Sequence, residues 1–180
     1  WASDAPPVED VKAVAGGYAK QLKSALQESM SKNGPAASLS VCSEKAAQLG
    51  AEVSNRTGWS VKRVSTQARN PLDMPDIYEA ANLDQFEALI ASGKEDASSY
   101  KVVTEGGVRY ARFMKAVRIE PVCLTCHGGS EVPRDVEKRL SELYPHDNAR
   151  GYKQGDLRGA LSIAQVRDIM ETTFFVPVSA

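Results

Sequence analysis

The chain has 180 residues, of which 42% are apolar and 25% are charged. This length and composition are typical of one globular domain with a real hydrophobic core. The formal net charge is −1, so the charge balance gives no support for binding to nucleic acid or to an anionic membrane surface. No uninterrupted apolar run is long enough to cross a bilayer, and we therefore expect no membrane span in this chain.

Two helices are predicted at the start of the chain. Over residues 8–30, apolar side chains recur at steps of three and four, which indicates one long amphipathic helix. Asn33-Gly34-Pro35 ends it. A second helix is expected over 36–54, before Thr57-Gly58. Its apolar face carries Leu39, Cys42, Ala46, Leu49 and Val53.

Strands and shorter helices are predicted in the rest of the chain. A strand is expected from 59 to 65, and two more over 100–103 and 108–117, joined by Glu105-Gly106-Gly107 as a hairpin. Prolines mark loops at Arg69-Asn70-Pro71 and Met74-Pro75-Asp76. The remaining expected elements are a short helix capped by Asp84, a helix from Pro133 to Tyr144, a strand over 157–164 and a terminal helix over 167–175.

Helices followed by a mainly antiparallel sheet favour the α+β class over a doubly wound parallel sheet. We expect a single domain over 1–180, with the N-terminal helix in 1–34 and a cofactor-binding core in 35–180. The loop that follows the long strand ending near Val117 would then lie against one face of the sheet.

That loop contains Cys123-Leu124-Thr125-Cys126-His127, which has the Cys-x-x-Cys-His spacing of a c-type haem attachment site. The two thiols can form thioethers to one porphyrin, and the histidine can supply an axial nitrogen to the iron. The alternatives are a redox pair or half of a zinc site. A zinc site needs a second ligand pair, and the chain has no such pair. We therefore predict one covalent haem c.

Haem c is attached outside the cytoplasm, so we expect a periplasmic or otherwise exported protein whose signal peptide or anchor was removed. The haem would take two of the three cysteines, and an odd cysteine in an exported protein needs an explanation.

The chain resembles a family of exported monohaem c-type proteins with a PAS-like fold, found as free proteins in cyanobacteria and proteobacteria and as input domains of sensor kinases. The resemblance covers most of the chain. The motifs that carry it are Val41-Cys42, Arg69-Asn70-Pro71 with Pro75-Asp76, Cys123-Leu124-Thr125-Cys126-His127-Gly128, and Gly151-Tyr152 with 155–160. It implies a PAS-like antiparallel sheet with the long N-terminal helices packed beside it. It also implies redox or gas sensing, and a His/Cys axial pair at His127 and Cys42.

The identity of the distal ligand stays open between several side chains. Cys42 is the odd thiol on an apolar helix face, where a cysteine can also be an ordinary buried residue. His146 is in a polar turn, and Met74 lies in a loop between two prolines. The other methionines, which are more typical of a core, are Met30, Met114 and Met170.

Haem propionates need cationic or hydrogen-bonding partners. Arg69 and Asn70 are the first candidates, and Arg112 and Lys115 are the next. Aromatic residues that could pack on the porphyrin are Trp59, Tyr110 and Phe113. Gly128-Gly129 would let the chain turn away beneath it.

Three functions compete. The first is a sensor of redox state or of a diatomic gas such as CO or NO, acting on an unidentified redox or signalling partner. The second is a small periplasmic electron carrier. The third is a haem enzyme, which we do not expect because a peroxidase needs a distal acid-base group and His146 is the only spare histidine.

Overall fold

The structure, a computed structural model, describes residues 8–169. It opens with helix α1 (Val8–Asn33), which confirms the predicted long helix and extends it by three residues. Gly34, at φ 80°, ends the helix in the left-handed region that glycine occupies most readily. Val11, Ala15 and Tyr18 form the buried stripe of α1.

The second helix spans 39–57, but its middle is not α-helical. Val41–Lys45 forms a π-helical turn, and α2 (Ala46–Thr57) continues from it. The amide of Ala46 donates to the carbonyl of Val41, five residues earlier, which is the bond that defines a π turn. Gly58, at φ 74°, ends α2 as predicted.

Four strands form one antiparallel sheet in the order β1-β4-β3-β2. The strands are β1 (Ser60–Val64), β2 (Ser98–Glu105), β3 (Val108–Arg118) and β4 (Leu157–Ile169). Gly106 and Gly107 both have positive φ, which is typical of the tight turn that joins β2 to β3. The predicted hairpin is therefore confirmed.

Helices cover both faces of the sheet. On one face, α1 and α2 pack against Trp59, Phe113 and Ile163. On the other face, α3 (Ile77–Ala91) packs Leu83 and Phe86 against Val64, Met114 and Ala160. We call these the α1/α2 face and the α3 face. Two small helices follow β3: α4 (Leu124–His127) and α5 (Arg134–Leu143), the latter opened by Pro133 as predicted.

Two expectations about element boundaries were wrong. Asp84 does not cap a helix, because it lies exposed in the middle of α3. The cap is Asp76, which forms a capping box with Glu79. The terminal helix expected over 167–175 is also wrong for residues 167–169, which belong to β4 and not to a helix. The rest of that segment, with Met170, lies outside the described residues.

Within 8–169, the longest helices are too polar or too short to traverse a bilayer.

Candidate functional site

The two motif cysteines and the motif histidine lie on one compact turn directly after the sheet. Pro121–Cys123 forms a 3-10 turn that runs into α4, so Cys123 directly precedes this short helix and Cys126 lies within it. The amide of Cys123 donates to the carbonyl of Glu120 at 2.9 Å, and Gly128 closes α4 on Leu124 at 2.9 Å. Both thiols are free and partly buried. The turn therefore presents two unlinked sulfurs from one rigid loop.

The His127 ring is held in one orientation. Its Nδ1 lies 2.9 Å from the carbonyl oxygen of Ala149. A carbonyl only accepts, so Nδ1 donates and Nε2 keeps its lone pair for another partner. Burial, with the charges of Arg158 and Arg69, lowers the pKa of His127 to about 3. The imidazole is therefore neutral at physiological pH, which is the form that binds a metal.

Tyr152 supports the other side of the same ring. The two rings meet edge to face, with centroids 6.1 Å apart and planes at 89°. The amide of Tyr152 donates to the carbonyl of His127 at 3.0 Å, and that of Gly151 donates to Gly128 at 3.0 Å. These bonds fasten the histidine to the 149–152 segment.

Gly128 is required for space. Its φ of −74° suits any residue, but a Cβ there would lie 2.6 Å from the Leu124 carbonyl oxygen and would also meet the Glu131 carboxylate. The expectation that Gly128-Gly129 shapes the exit of the loop thus gains a steric basis at Gly128. Gly129 is less constrained, since the nearest atom to its Cβ would be a Glu131 oxygen at 3.4 Å.

Arg69 ties the loop to its surroundings through three acceptors. Its guanidinium donates to Asp147 Oδ1 at 3.0 Å, to the Cys126 carbonyl at 2.7 Å and to the Ala149 carbonyl at 3.1 Å. Burial alone would raise the pKa of Asp147, but the bonds from Arg69 and from the Ala149 amide outweigh it and lower that pKa. Asn70 instead caps the turn Pro71–Asp73, accepting from the Leu72 amide at 3.1 Å. Arg69 thus positions the motif loop, and its assignment to a propionate stays a prediction, as does that of Asn70.

Cys42 lies in the π-helical turn, three residues after Leu39. After burial, the charge of Cys42 is the next cause that raises the pKa of Cys126, to about 11. Burial raises the pKa of Cys123 as well, and the charges of Glu120 and Cys42 act in the same direction. Leu39 packs in one cluster with Val136 and the partly buried Cys126, so this end of the second helix lies beside the motif loop although 81 residues separate Cys42 from Cys123 in the sequence. π turns inside helices occur frequently at functional sites.

Two arginines of this neighbourhood were missed from the sequence. Arg63 in β1 donates to the carbonyl of Cys42. Arg158 in β4 donates to Ser65 Oγ at 2.8 Å, and burial together with the charges of Arg69 and Arg63 lowers its pKa. Neither Arg63 nor Arg158 has an ion pair with any residue between 8 and 169. The sequence offered one indication of Arg63: it shares a strand face with Trp59 and Val61, and a charge on such an apolar face needs a partner.

Several weaker candidates lie elsewhere. Arg112 is buried on the α3 face among Asp76, Glu79 and Glu105, so the suggestion that it meets a propionate was wrong. Lys115 pairs with Asp96 at the surface. Trp59, Phe113 and Met114 are core residues of the sheet. His146 and Met74 are exposed.

The alternative of a zinc site gains no support from the described part of the chain. Among residues 8–169, no group of three or more His, Cys, Asp and Glu side chains could hold a metal ion by itself.

Comparisons with known proteins agree with this description. The family model described as Tll0287-like matches residues 7–165. Among solved structures, the crystal structure of the cyanobacterial haem-protein Tll0287 matches with a TM-score of 0.67 and 24% sequence identity, covering 93% of this chain and 100% of that chain. At this identity the likeness establishes the fold, and it confirms the predicted α+β, PAS-like architecture. A search of curated proteins finds no match.

Proposed function

Because this chain belongs to the Tll0287-like family, we propose that it binds one haem c covalently through Cys123 and Cys126, with His127 and Cys42 as the axial ligands. The observation that carries the proposal is the fixed His127 ring, whose Nδ1 is engaged by Ala149 and whose Nε2 is left to bind. A related protein, Tll0287, is described as a haem protein, which supports the same cofactor here.

The donor set suits this cofactor. Two free thiols on one turn match the two thioether positions of a porphyrin, and neutral His127 matches one axial position. Arg63, which lacks a carboxylate partner among the described residues, is better placed than Asn70 to receive a carboxylate of the cofactor. Arg69 would contribute charge nearby while it holds the loop.

When bound, the haem iron supplies one-electron redox chemistry and a position for diatomic gases. Cys42 would bind as a thiolate, which favours the ferric state and lowers the midpoint potential relative to a thioether ligand. If an external one-electron donor reduced the bound group, the Cys42 thiolate would lose its charge partner, and we expect it to take up a proton from solvent and to bind less strongly as a neutral thiol. Cys42 is thus the residue that changes state, and we propose that the protein senses redox state or a gas such as CO or NO through it.

The π-helical turn gives this change a route to the rest of the protein. Ala46 bonds to Val41 only because one extra residue is accommodated between them. Release of Cys42 would remove an interaction that favours the π-helical turn at this position. The turn could then revert to α-helical hydrogen bonds, and the helix on one side of it would rotate. Such a two-state element is what a sensor requires.

The proposal implies an exported, periplasmic protein with a redox or signalling partner. It does not require enzymatic activity. His146, the spare histidine, is exposed on a turn, which does not favour a distal acid-base role in a peroxidase.

The test is the intact mass of protein matured together with the c-haem assembly machinery. We expect the mass of one haem, retained after acid-acetone extraction, in the natural chain and its loss in the double variant Cys123→Ser/Cys126→Ser. Free haem released from an apoprotein of unmodified mass would refute covalent attachment. The electron-carrier alternative predicts a ferrous form that stays six-coordinate and ignores CO, with rapid electron exchange with a small redox protein.

A further inference from the structure

A cavity lies at the same end of the sheet as the motif loop, but on the α3 face. Its volume is about 590 Å³, within the range of small-molecule sites. Its walls come from α3, from 150–159 and from 65–67. None of Cys42, Cys123, Cys126 and His127 lines it.

The lining is mainly polar, with three arginines and the acidic Glu87 and Asp156, and has a smaller apolar part. Leu83 and Ile90 of α3 and Leu157 of β4 form an apolar wall. Arg118 and Arg158 also line the cavity. Arg118 donates to the carbonyls of Gly155 at 2.8 Å and Glu95 at 3.0 Å, and Arg158 donates to Ser65 Oγ and the Gln67 carbonyl.

These two arginines are therefore held in place by neutral acceptors. Neither has an ion pair with a described residue, so their charges remain available. The third lining arginine, Arg150, differs because it pairs with Glu137. A guanidinium that is positioned but not neutralised is suited to bidentate binding of a carboxylate.

A β-bulge gives Arg158 its place. Val117 pairs with Gly159 and Arg118 pairs with Leu157, so Arg158 is the extra residue between two registers. Bulges redirect side chains and occur frequently beside functional sites. Here the bulge brings Arg158 and its neighbour Leu157 to the same cavity, although adjacent residues of a regular strand point to opposite faces.

We propose that this cavity binds a small organic carboxylate, whose charged group lies on Arg118 and Arg158 and whose apolar part lies against the α3 wall. The ligand would be more than an inorganic anion, since the volume and the leucine and isoleucine side chains suit a hydrocarbon portion.

The cavity is connected to the first site through two side chains. The Arg158 guanidinium lies 5.5 Å from the centre of the Tyr152 ring, and Tyr152 contacts His127 edge to face. A carboxylate on Arg158 would bring a negative charge two contacts from His127. If haem is bound as proposed above, on which this step rests, that charge stabilises the ferric state, so the ligand lowers the midpoint potential.

The experiment is a calorimetric titration of the matured protein with benzoate as the probe and neutral benzamide as its shape-matched control. We expect benzoate to bind in the millimolar range or tighter and benzamide not to bind. Arg118→Gln should weaken benzoate binding about tenfold. Arg109→Gln, on the same strand but at the far end beside Asp168, should leave it unchanged.

A second variant, which should strengthen benzoate binding and not weaken it, keeps the test valid if Arg118→Gln fails to fold. Glu87 is exposed on α3 and lines the cavity, so Glu87→Gln removes a repulsive charge and should tighten benzoate binding several-fold. No benzoate binding, equal binding of benzamide, or no response to Glu87→Gln would overturn the site.

A redox titration with and without benzoate tests the connection to His127. A lower midpoint potential in the presence of benzoate supports the connection. An unchanged potential with benzoate bound overturns the connection but not the binding site. Calorimetry measures benzoate binding whether or not haem is attached. Failure of the haem proposal and failure of the cavity proposal are therefore distinguishable.

Discussion

The hydroxyl of Tyr18 donates to the carbonyl of Ala46 at 3.2 Å, across a gap of 28 residues in the sequence. This bond joins the buried stripe of α1 to the residue that directly follows the π-helical turn. Any rearrangement of that turn must therefore act on α1 at this point.

Tyr18→Phe should lower the free energy of unfolding by about 1 kcal/mol, because the variant loses one buried hydrogen bond and keeps the ring. Urea denaturation followed by circular dichroism measures it. Tyr110→Phe is the matched control, on a partly buried tyrosine of β3 whose hydroxyl has no hydrogen bond within 8–169. An equal loss in both variants would contradict a specific role for the Tyr18 bond.

Cys42→Ala should remove the thiolate signature from the electron paramagnetic spectrum of the ferric protein and raise its midpoint potential, because the anionic donor is lost. Reduced natural protein should bind CO readily. His146→Ala and Met74→Leu serve as controls, and an unchanged ferric spectrum is expected for both. If Cys42→Ala leaves the spectrum intact and one of these two alters it, the distal ligand is that side chain.

Arg69→Met should destabilise the protein by about 3 kcal/mol, because it leaves the largely buried Asp147 carboxylate without its cation. It should also reduce haem incorporation, since Arg69 bonds to the carbonyls of Cys126 and Ala149. Denaturation and the yield of matured protein measure the two effects. A loss no larger than that of Arg139→Met, an exposed arginine of α5, would contradict this role.

The Arg69–Asp147 pair also predicts a pH dependence. The pKa of Asp147 in the folded protein lies below its usual 3.8, so below that pH the unfolded chain binds the proton first. The stability contributed by Asp147 is therefore complete above about pH 4 and is lost as the pH falls through the lower folded pKa. The difference in stability between natural protein and Asp147→Asn should shrink in that window and be constant above it.

Gly128→Ala should cost about 2 kcal/mol and impair haem attachment, because the new methyl group has no space beside the Leu124 carbonyl. Gly129→Ala, one residue away, should change stability by no more than about 0.5 kcal/mol. Denaturation midpoints and haem-to-protein ratios compare the pair. Similar values for the two variants would show that the loop relaxes around Gly128.

Arg112→Met should destabilise the fold by about 3 kcal/mol, because the fully buried Glu79 carboxylate loses its buried cationic partner and keeps only the half-exposed Lys62 as an ion pair. The double variant Arg112→Met/Glu79→Met should recover a substantial part of that loss, since no buried charge is left unpaired. Haem attachment should be normal in both, because the pair lies on the α3 face. A double variant that is less stable than the single one would argue against this explanation.

The sequence predicted the elements with strong periodicity or a strong turn signal. The helix from Val8, the Gly106-Gly107 hairpin and the loop containing Cys123 all follow from short-range patterns. The spacing of Asp76 to Glu79 also predicts a cap, but Asp84 lies closer to the apolar residues Phe86, Leu89 and Ile90, which the sequence places in the same helix.

The environment of Cys42 was not predictable in the same way. A regular helix would place Leu39, Leu49 and Val53 on one face, but Leu39 packs with Val136 of α5 whereas Leu49 and Val53 pack against the sheet. One extra residue in the π turn rotates the following helix by roughly 100°, and nothing in the local sequence marks that insertion. The grouping of Arg63 and Arg158 depends on β1 pairing with β4, a long-range contact.

The register of β3 with β4 has a kinetic consequence. Arg118 pairs with Leu157. The two central strands, β3 and β4, can therefore pair only when the connection formed by residues 119–156 closes into a loop. Closing a long loop is entropically costly and slows folding. We expect refolding to be faster when residues 119–156 are already compact in the unfolded chain. Inserting glycine and serine at the exposed Lys153-Gln154 junction lengthens this loop, and stopped-flow mixing should then show slower refolding. Assembly of this sheet would then wait on the segment that holds Cys123 and Cys126, and if haem c is attached there as proposed, that delay would give a maturation enzyme time to reach both thiols.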